Sequence, residues 1–342
     1  MTKSVYSASA VEVNVTYWPG IEPVRVLLAI IVVVLHANFQ YAPQGYLAVE
    51  LFFMISGFLI ASRKKDTSSV FFRFLKNISL IYPSYFLSIL LMLMVSPARL
   101  HDVILSFSLL QAIGLNEKLI NIPAWFLTCY LWVWFFYSFL HSRISDRDLY
   151  AFSIFSAIVG YVCLYSLTPA KGLNYTTEVI IGFLPPSIIR AMAGIGLGIA
   201  LYATYRHLPR IELKRSIISI FEIVIIFLCF YIFLKHPASV EMDTSFLPLG
   251  FLFLYFLVSN QGLVSNFLSS LGQRFTFWRS ASFDLFIFHF PLFLIVRKVV
   301  GHPPLGISET LLTITGVCFI SLMLGFTVRA IKPVIYRYVA LK

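Results

Sequence analysis

Long apolar stretches recur along the chain from residue 21 almost to its C-terminus. Ten of them are long enough to cross a bilayer, because a spanning helix needs about 20 largely apolar residues and every backbone polar group in hydrocarbon must be paired. The pattern predicts an all-α, polytopic membrane protein with about ten transmembrane helices. The predicted spans are 21–40, 45–62, 77–96, 123–141, 149–168, 186–205, 216–234, 245–260, 281–299 and 308–329.

One further apolar stretch, 103–115, is short and contains a glutamine and a glycine. We expect it to lie at the membrane interface or to re-enter the membrane without crossing it. The domain organisation that follows is simple. A cytoplasmic tail over 1–20 precedes a single membrane domain over 21–330, and a second cytoplasmic tail covers 331–342.

The basic residues predict the orientation of these spans. With both termini placed inside, 18 of the 26 Lys and Arg fall on the inner side and 6 on the outer side, which is the bias that cytoplasmic loops carry. The net charge of +11 is therefore a topology signal.

Hydrophobic residues make up 59% and charged residues 12% of the chain, against about 45–50% and 25% in soluble proteins. This composition excludes a soluble enzyme and argues against a nucleic-acid partner, and no cysteine or histidine spacing predicts a metal site.

Ionisable side chains within spans are functional candidates, because each costs at least about 2.5–3.5 kcal/mol at mid-membrane. Arg25 and His36 are eleven residues apart in the first span. Eleven helical steps exceed three whole turns by about 20°, so both side chains share one face about 16 Å apart. They predict a polar stripe from the inner half to the outer end. The alternative is that Arg25 reaches the inner headgroups and His36 caps the outer end.

Glu50 is the candidate partner of His36. Each lies seven residues from Pro43, at the centre of the turn between the first two spans. In an antiparallel helical pair they sit at a similar depth, about 10 Å from the turn. A carboxylate beside an imidazole fixes its tautomer and raises its basicity, as a general base requires. The alternative is that Glu50 lies among the headgroups and pairs with lipid or a lysine.

Other polar and aromatic positions have two interpretations each. Arg190, before a run of glycines, either binds an anionic group or caps the bundle. His289, two residues before Pro291, either lines a cavity or is a satisfied core histidine. Trp125 either stacks on a sugar ring or belongs to the interfacial belt. The basic, aromatic loop 63–76 either reflects topology or binds a polyanionic cofactor.

These residues lie in segments that resemble a known family. VRVLLAIIVVVLHANF, which contains Arg25 and His36, and GYLAVELFFMISGFLI (45–60) resemble the opening of the acyltransferase 3 family of integral-membrane acyltransferases. The segments IYPSYFL (81–87), NIPAWFLTCYLWVWFFY (121–137) and SFDLFIFHFPL (282–292) resemble later parts of the family pattern. Arg190 with its glycines resembles another.

The resemblance implies transfer of an acyl group, usually acetyl from acetyl-CoA, to a hydroxyl of a glycan such as lipopolysaccharide O-antigen or exopolysaccharide, in the inner membrane. It implies that Arg25 and His36 are essential and that Glu50 is at the position of a family acid. The paired arginines expected before the Tyr-Pro motif are absent, which leaves Arg73 and Lys76 as the basic residues there.

The resulting hypothesis is a catalytic mechanism. Acyl-CoA docks from the cytoplasm with its phosphates near Arg73 and Lys76, and its arm passes Arg25. His36, oriented by Glu50, takes the proton of an acceptor hydroxyl that arrives from outside and is carried by a free or lipid-linked carbohydrate; a histidine acylated first is a variant. The expected substrate-binding residues are Trp125, Arg190 and His289.

The competing hypothesis is a transporter or flippase that moves a glycan, lipid or small anion along the same stripe. It predicts no dependence on acyl-CoA and no modified product. Transporters of this kind often contain repeats, and none is evident in this sequence.

Overall fold

The chain folds into helices that form a single bundle. The computed structural model describes residues 17–65, 69–115, 118–168, 172–174, 185–208, 213–235, 239–275, 277–304 and 306–340, of which 332–340 are described as backbone. Residues 1–16 of the predicted N-terminal tail lie outside these ranges. The helices are α1 (Ile21–Ala37), α2 (Ala48–Ala61), α3 (Val70–Val95), α4 (Leu100–Phe107), α5 (Trp125–Arg143), α6 (Asp146–Leu167), α7 (Pro186–His207), α8 (Arg215–Leu234), α9 (Val240–Ser259), α10 (Leu263–Arg274), α11 (Trp278–Val300) and α12 (Ile307–Ala340).

The all-α prediction is confirmed, and a helix lies over each of the ten predicted spans. In the part of the chain that is described, seven helices are long and apolar enough to cross a membrane. The count of ten and the inside placement of both termini stay predictions. Helix α12 continues through Ala340, ten residues into the segment expected to be a tail.

Two short helices lie outside the predicted spans. Helix α4 has eight residues and rises about 12 Å, far less than a bilayer core. The chain then leaves helical structure over the rest of 103–115, so this stretch does not span. Helix α10 was not expected. Its N-terminus is capped from α8 by Glu222, which accepts the backbone N–H of Val264 at 2.9 Å.

Helix ends follow from local chemistry. The Ser69, Ser145 and Ser239 hydroxyls accept backbone N–H groups in the first turns of α3, α6 and α9, which satisfies donors that no helical carbonyl can reach. Helix α7 begins at Pro186, where the missing N–H costs nothing. Helix α11 ends at Gly301, whose φ of 88° is the left-handed conformation that terminates many helices.

Helices α2 and α7 are in backbone contact at two glycines. A Cβ at Gly57 would lie 1.9 Å from the carbonyl oxygen of Ile195, and one at Gly198 would lie 2.0 Å from that of Met54. Any side chain at either position would force the helices apart. Helix α1 packs mainly against α11.

Candidate active site

Two histidines from different helices are in direct contact. Nε2 of His289 on α11 lies 3.2 Å from Nδ1 of His36 on α1. The same Nδ1 atom of His36 lies 2.9 Å from the carbonyl oxygen of Val32, and Nδ1 of His289 lies 2.9 Å from that of Leu285. His289 is fully buried, whereas His36 is half-buried, one residue before the end of α1.

These contacts fix the tautomers of a neutral pair. Nδ1 of His289 must carry its proton, because its neighbour is a carbonyl oxygen, so its Nε2 is an acceptor. Nδ1 of His36 then donates toward both Val32 and His289. The proton-free nitrogen of His36 is therefore Nε2, which can act as a base.

A proline on α11 and an amide from another segment position His289. Pro291 has no N–H, so the carbonyl of Ile287 four residues earlier has no helical donor. Nδ2 of Asn121 donates to this carbonyl at 3.1 Å and to Oγ of Ser88 on α3 at 3.2 Å. Asn121 is fully buried, and it holds α11 two residues before the histidine. The sequence analysis did not identify Asn121 as a functional residue. The feature that could have pointed to it is its position directly before the Ile-Pro-Ala-Trp segment.

A cavity of about 510 Å³ lies between α1, α2, α3, α5, α11 and α12. One end carries a cluster of guanidinium groups from four helices or helix ends, and the other end is aromatic. Most of the remaining wall is apolar. The lining arginines are Arg25, Arg63, Arg279 and Arg329, and the aromatic end contains Phe52, Phe126 and Phe286.

Two of these arginines are held by carboxylates. Nη1 of Arg329 on α12 donates to both oxygens of Asp284 on α11, at 2.8 and 2.6 Å. Asp284 is fully buried while Arg329 is 44% exposed, so the guanidinium is the accessible half of an ion pair whose net charge is zero. Gly325 makes room for the carboxylate, since a Cβ there would lie 2.0 Å from it. Arg25 contacts Glu22 one turn earlier at 3.4 Å.

The expectation that Glu50 orients His36 is wrong. The carboxylate of Glu50 accepts hydrogen bonds from Nε of Arg190 and from the hydroxyl of Tyr161, the latter at 2.8 Å. Arg190 also donates to the carbonyl of Tyr46 at 2.9 Å. Helix α2 packs on α7, and this neighbour supplies the partner of Glu50. His289 occupies the place beside His36 that Glu50 was expected to take.

Arg190 and Trp125 do not face an open site. Arg190 is 1% exposed, so its positive charge is neutralised inside the protein by Glu50. Its guanidinium lies 5.3 Å from the ring centre of Trp125, and the indole is buried against Phe53 and Phe126. In this arrangement neither side chain is open to a sugar or an anion, and their roles in substrate binding stay predictions.

The donor-binding positions also differ from expectation. Arg73 and Lys76 on α3 are absent from the cavity lining. The basic loop contributes through Arg63, and Arg279 and Arg329 supply charges from the other end of the sequence. Arg279 and Arg329 were counted in the topology signal alone, and Arg63 was considered only as part of the loop 63–76, because their convergence depends on helix packing. Arg25 does line the cavity, and His289 borders its aromatic end, with ring centres 6.2 Å apart between His289 and Phe286.

A short connection anchors the segment that leads to Asn121. Asp102 on α4 accepts two hydrogen bonds from Arg99, at 2.8 and 2.9 Å, and one from the backbone N–H of Lys118 at 2.9 Å. The Arg99 guanidinium lowers the pKa of Asp102 to about 2. The ionised carboxylate thus ties α4 to the chain three residues before Asn121.

Comparison with known proteins gives a consistent result. A family model described as an acyltransferase domain matches residues 18–329. "Putative acetyltransferase ORF330" of Acidianus two-tailed virus is 24% identical over 266 residues, which cover 75% of this chain and 74% of that protein. Peptidoglycan O-acetyltransferase OatA of Listeria monocytogenes is 41% identical over 46 residues, 14% of this chain and 7% of OatA. No solved structure matches. Because the family model covers almost the whole chain, the protein belongs to the acyltransferase 3 family of membrane acyltransferases.

Proposed function

We propose that the protein transfers an acetyl group from acetyl-CoA to a hydroxyl of a carbohydrate outside the cytoplasm, across the inner membrane. The observation that carries this proposal is the histidine pair. Val32 and His289 engage Nδ1 of His36 and leave Nε2 proton-free. The histidine pair does not line the cavity, but His289 contacts Phe286 at its aromatic end, and the other end is rich in arginine. The name of OatA, a peptidoglycan O-acetyltransferase, supports a carbohydrate hydroxyl as acceptor.

The cavity provides the donor site in this proposal. Guanidinium groups bind phosphates through charge-assisted hydrogen bonds, and Arg25, Arg63, Arg279 and Arg329 converge at one end. The phosphates of the nucleotide bind there, on the side to which the basic residues of the sequence assign the cytoplasm. The apolar wall accommodates the thin arm that carries the thioester.

The acceptor approaches from the opposite side. His36 lies at the end of α1 that precedes the outer turn, and its Nε2 removes the proton of the acceptor hydroxyl. The hydroxyl oxygen attacks the thioester carbonyl carbon, and the bond between that carbon and sulfur breaks. The CoA thiolate leaves and takes up the proton from the His36 imidazolium. The products are an O-acetylated carbohydrate and free CoA, and His36 is neutral again.

Label transfer tests the proposal. Membrane vesicles that contain the protein and the carbohydrate polymers of its own cell are supplied with radiolabelled acetyl-CoA on the cytoplasmic side. We expect label in the carbohydrate fraction and a loss of roughly 10²–10⁴-fold in rate for His36→Ala, the range that a general base contributes. His302→Ala is the matched control, because His302 is exposed and bonds only to the nearby Pro303 carbonyl among described residues.

Two results would overturn this function. Equal labelling by His36→Ala and the wild type, with both proteins inserted at the same level, removes His36 from the chemistry. Movement of a glycan or lipid across the vesicle membrane without any incorporated label identifies a transporter instead.

A further inference from the structure

Three phenyl rings from three helices close one end of the cavity. Phe52 on α2, Phe126 on α5 and Phe286 on α11 contact one another, with ring centres 5.7 Å apart for Phe52 and Phe126, 6.1 Å for Phe52 and Phe286, and 5.2 Å for Phe126 and Phe286. Each ring is less than 10% exposed. We name this group the phenyl wall.

The phenyl wall lies opposite the arginines. Along α11, Phe286 is seven residues from Arg279, which is about 10 Å, and along α2, Phe52 is eleven residues from Arg63, which is about 16 Å. The phenyl wall also adjoins the base, because Phe286 contacts His289 and His289 contacts His36. A donor whose phosphates bind the arginines therefore points its acyl end at these three rings.

We propose that the phenyl wall limits the donor to a short acyl group. This inference rests on the proposed function and adds the residues that set acyl-chain length. The thioester carbonyl has to approach His36, so the carbons beyond it must fit between the carbonyl and the rings. An acetyl group adds one methyl there, whereas each further methylene must displace a ring from the packed trio.

The close packing of the three rings opposes their displacement by a longer acyl chain. Phe126 also contacts Phe53, with ring centres 4.8 Å apart, and Tyr130, with ring centres 5.9 Å apart. Such close-packed interiors resist extra volume, since an inserted methylene forces side chains from their preferred rotamers. One methylene in an apolar pocket changes discrimination by roughly 10–200-fold.

Substitution of Phe52 tests this directly, since Phe52 contacts both other rings and is not on the helix of either histidine. The kcat/KM values for acetyl-, butyryl- and hexanoyl-CoA are measured with the purified protein in vesicles that carry the acceptor carbohydrate. In Phe52→Ala the ratio of butyryl to acetyl transfer rises at least roughly tenfold, and in Phe52→Leu it rises less. The graded pair keeps the test valid if the alanine variant does not fold.

Phe246→Ala is the matched control. Phe246 is a fully buried phenylalanine on α9 that contacts Phe233, so its loss lowers stability without enlarging the cavity. Its donor ratio should equal that of the wild type. An unchanged ratio in both Phe52 variants overturns the phenyl-wall proposal while acetyl transfer by the wild type still stands. Absence of transfer from every acyl-CoA by the wild type overturns the proposed function instead.

Discussion

Nε2 of His289 lies 3.2 Å from Nδ1 of His36, so a ring on α11, together with the Val32 carbonyl, determines which nitrogen of His36 can take up a proton. His289 acts here only by accepting a hydrogen bond from Nδ1 of His36. It is therefore a positioning residue in the proposed mechanism, and His36 is the residue that meets the acceptor hydroxyl.

Replacement of His289 should separate these roles. In His289→Leu, Nδ1 of His36 keeps only the Val32 carbonyl as acceptor, and we expect kcat for acyl transfer to fall roughly tenfold, with KM for the donor little changed. His289→Gln keeps an acceptor oxygen and should recover part of kcat. A loss of kcat as large as that of His36→Ala in both variants would contradict a positioning role.

The buried pair of Glu50 and Arg190 should govern stability. Glu50→Gln leaves a buried arginine without its counter-charge, and we expect the free energy of unfolding to fall by about 3–5 kcal/mol. Adding Arg190→Met to a Glu50→Leu variant removes both charges and should recover most of this loss. Unfolding by SDS in mixed micelles measures the free energy of unfolding of each variant.

Acyl transfer by the same double variant provides the decisive comparison. If Glu50 acted on His36, the double variant would be stable and inactive. Because Glu50 is bonded to Arg190 and Tyr161, we expect transfer activity to return together with stability.

Asp284 should affect donor binding through Arg329. The two hydrogen bonds between them hold the guanidinium at the cavity, so in Asp284→Asn we expect KM for acetyl-CoA to rise roughly tenfold, which corresponds to about 1.4 kcal/mol. Asp146→Asn is the matched control, because Asp146 pairs with Lys65 and Arg206 away from the cavity. A fall in kcat with KM unchanged would contradict this role.

Helix positions were predictable from the sequence because the cost of unpaired backbone groups in lipid acts on each segment by itself. The arrangement of helices was not predictable in this way. His36 and Glu50 were paired because their helices are adjacent in sequence, yet α1 packs mainly on α11 and α2 on α7. Helical periodicity gives the face of a residue and its depth, and neither identifies the helix opposite.

For the same reason, the sequence did not predict which arginines line the cavity. Arg25 was identified because a charge within a span is costly by itself. Arg63, Arg279 and Arg329 lie near helix ends, where charge is inexpensive and topology explains it. Asn121 was missed for a related reason, since its function depends on a carbonyl freed by Pro291 more than 160 residues later.

The pH dependence of stability should identify the role of Asp102. Its pKa in the folded protein, about 2, is lower than the ordinary value of 3.8. The ionised carboxylate therefore stabilises the folded state above pH 4, and this contribution is lost as the pH falls toward 2. We expect Asp102→Asn to have a lower Tm than the wild type at pH 6, and the difference should shrink between pH 4 and pH 2. A difference that stays constant over this range would exclude the carboxylate charge as its cause.

The backbone contact between α2 and α7 has a consequence for how a bulky nucleotide enters and leaves. Helices α2 and α7 approach each other at Gly57 and Gly198 more closely than a side chain would allow, so that half of the bundle is closely packed. Helix α12 lies on the opposite side of the cavity, and only 17% of its most apolar stretch is buried. An outward displacement of α12 would therefore disrupt less packing than a displacement of α2 from α7, and it would separate Arg329 from Asp284.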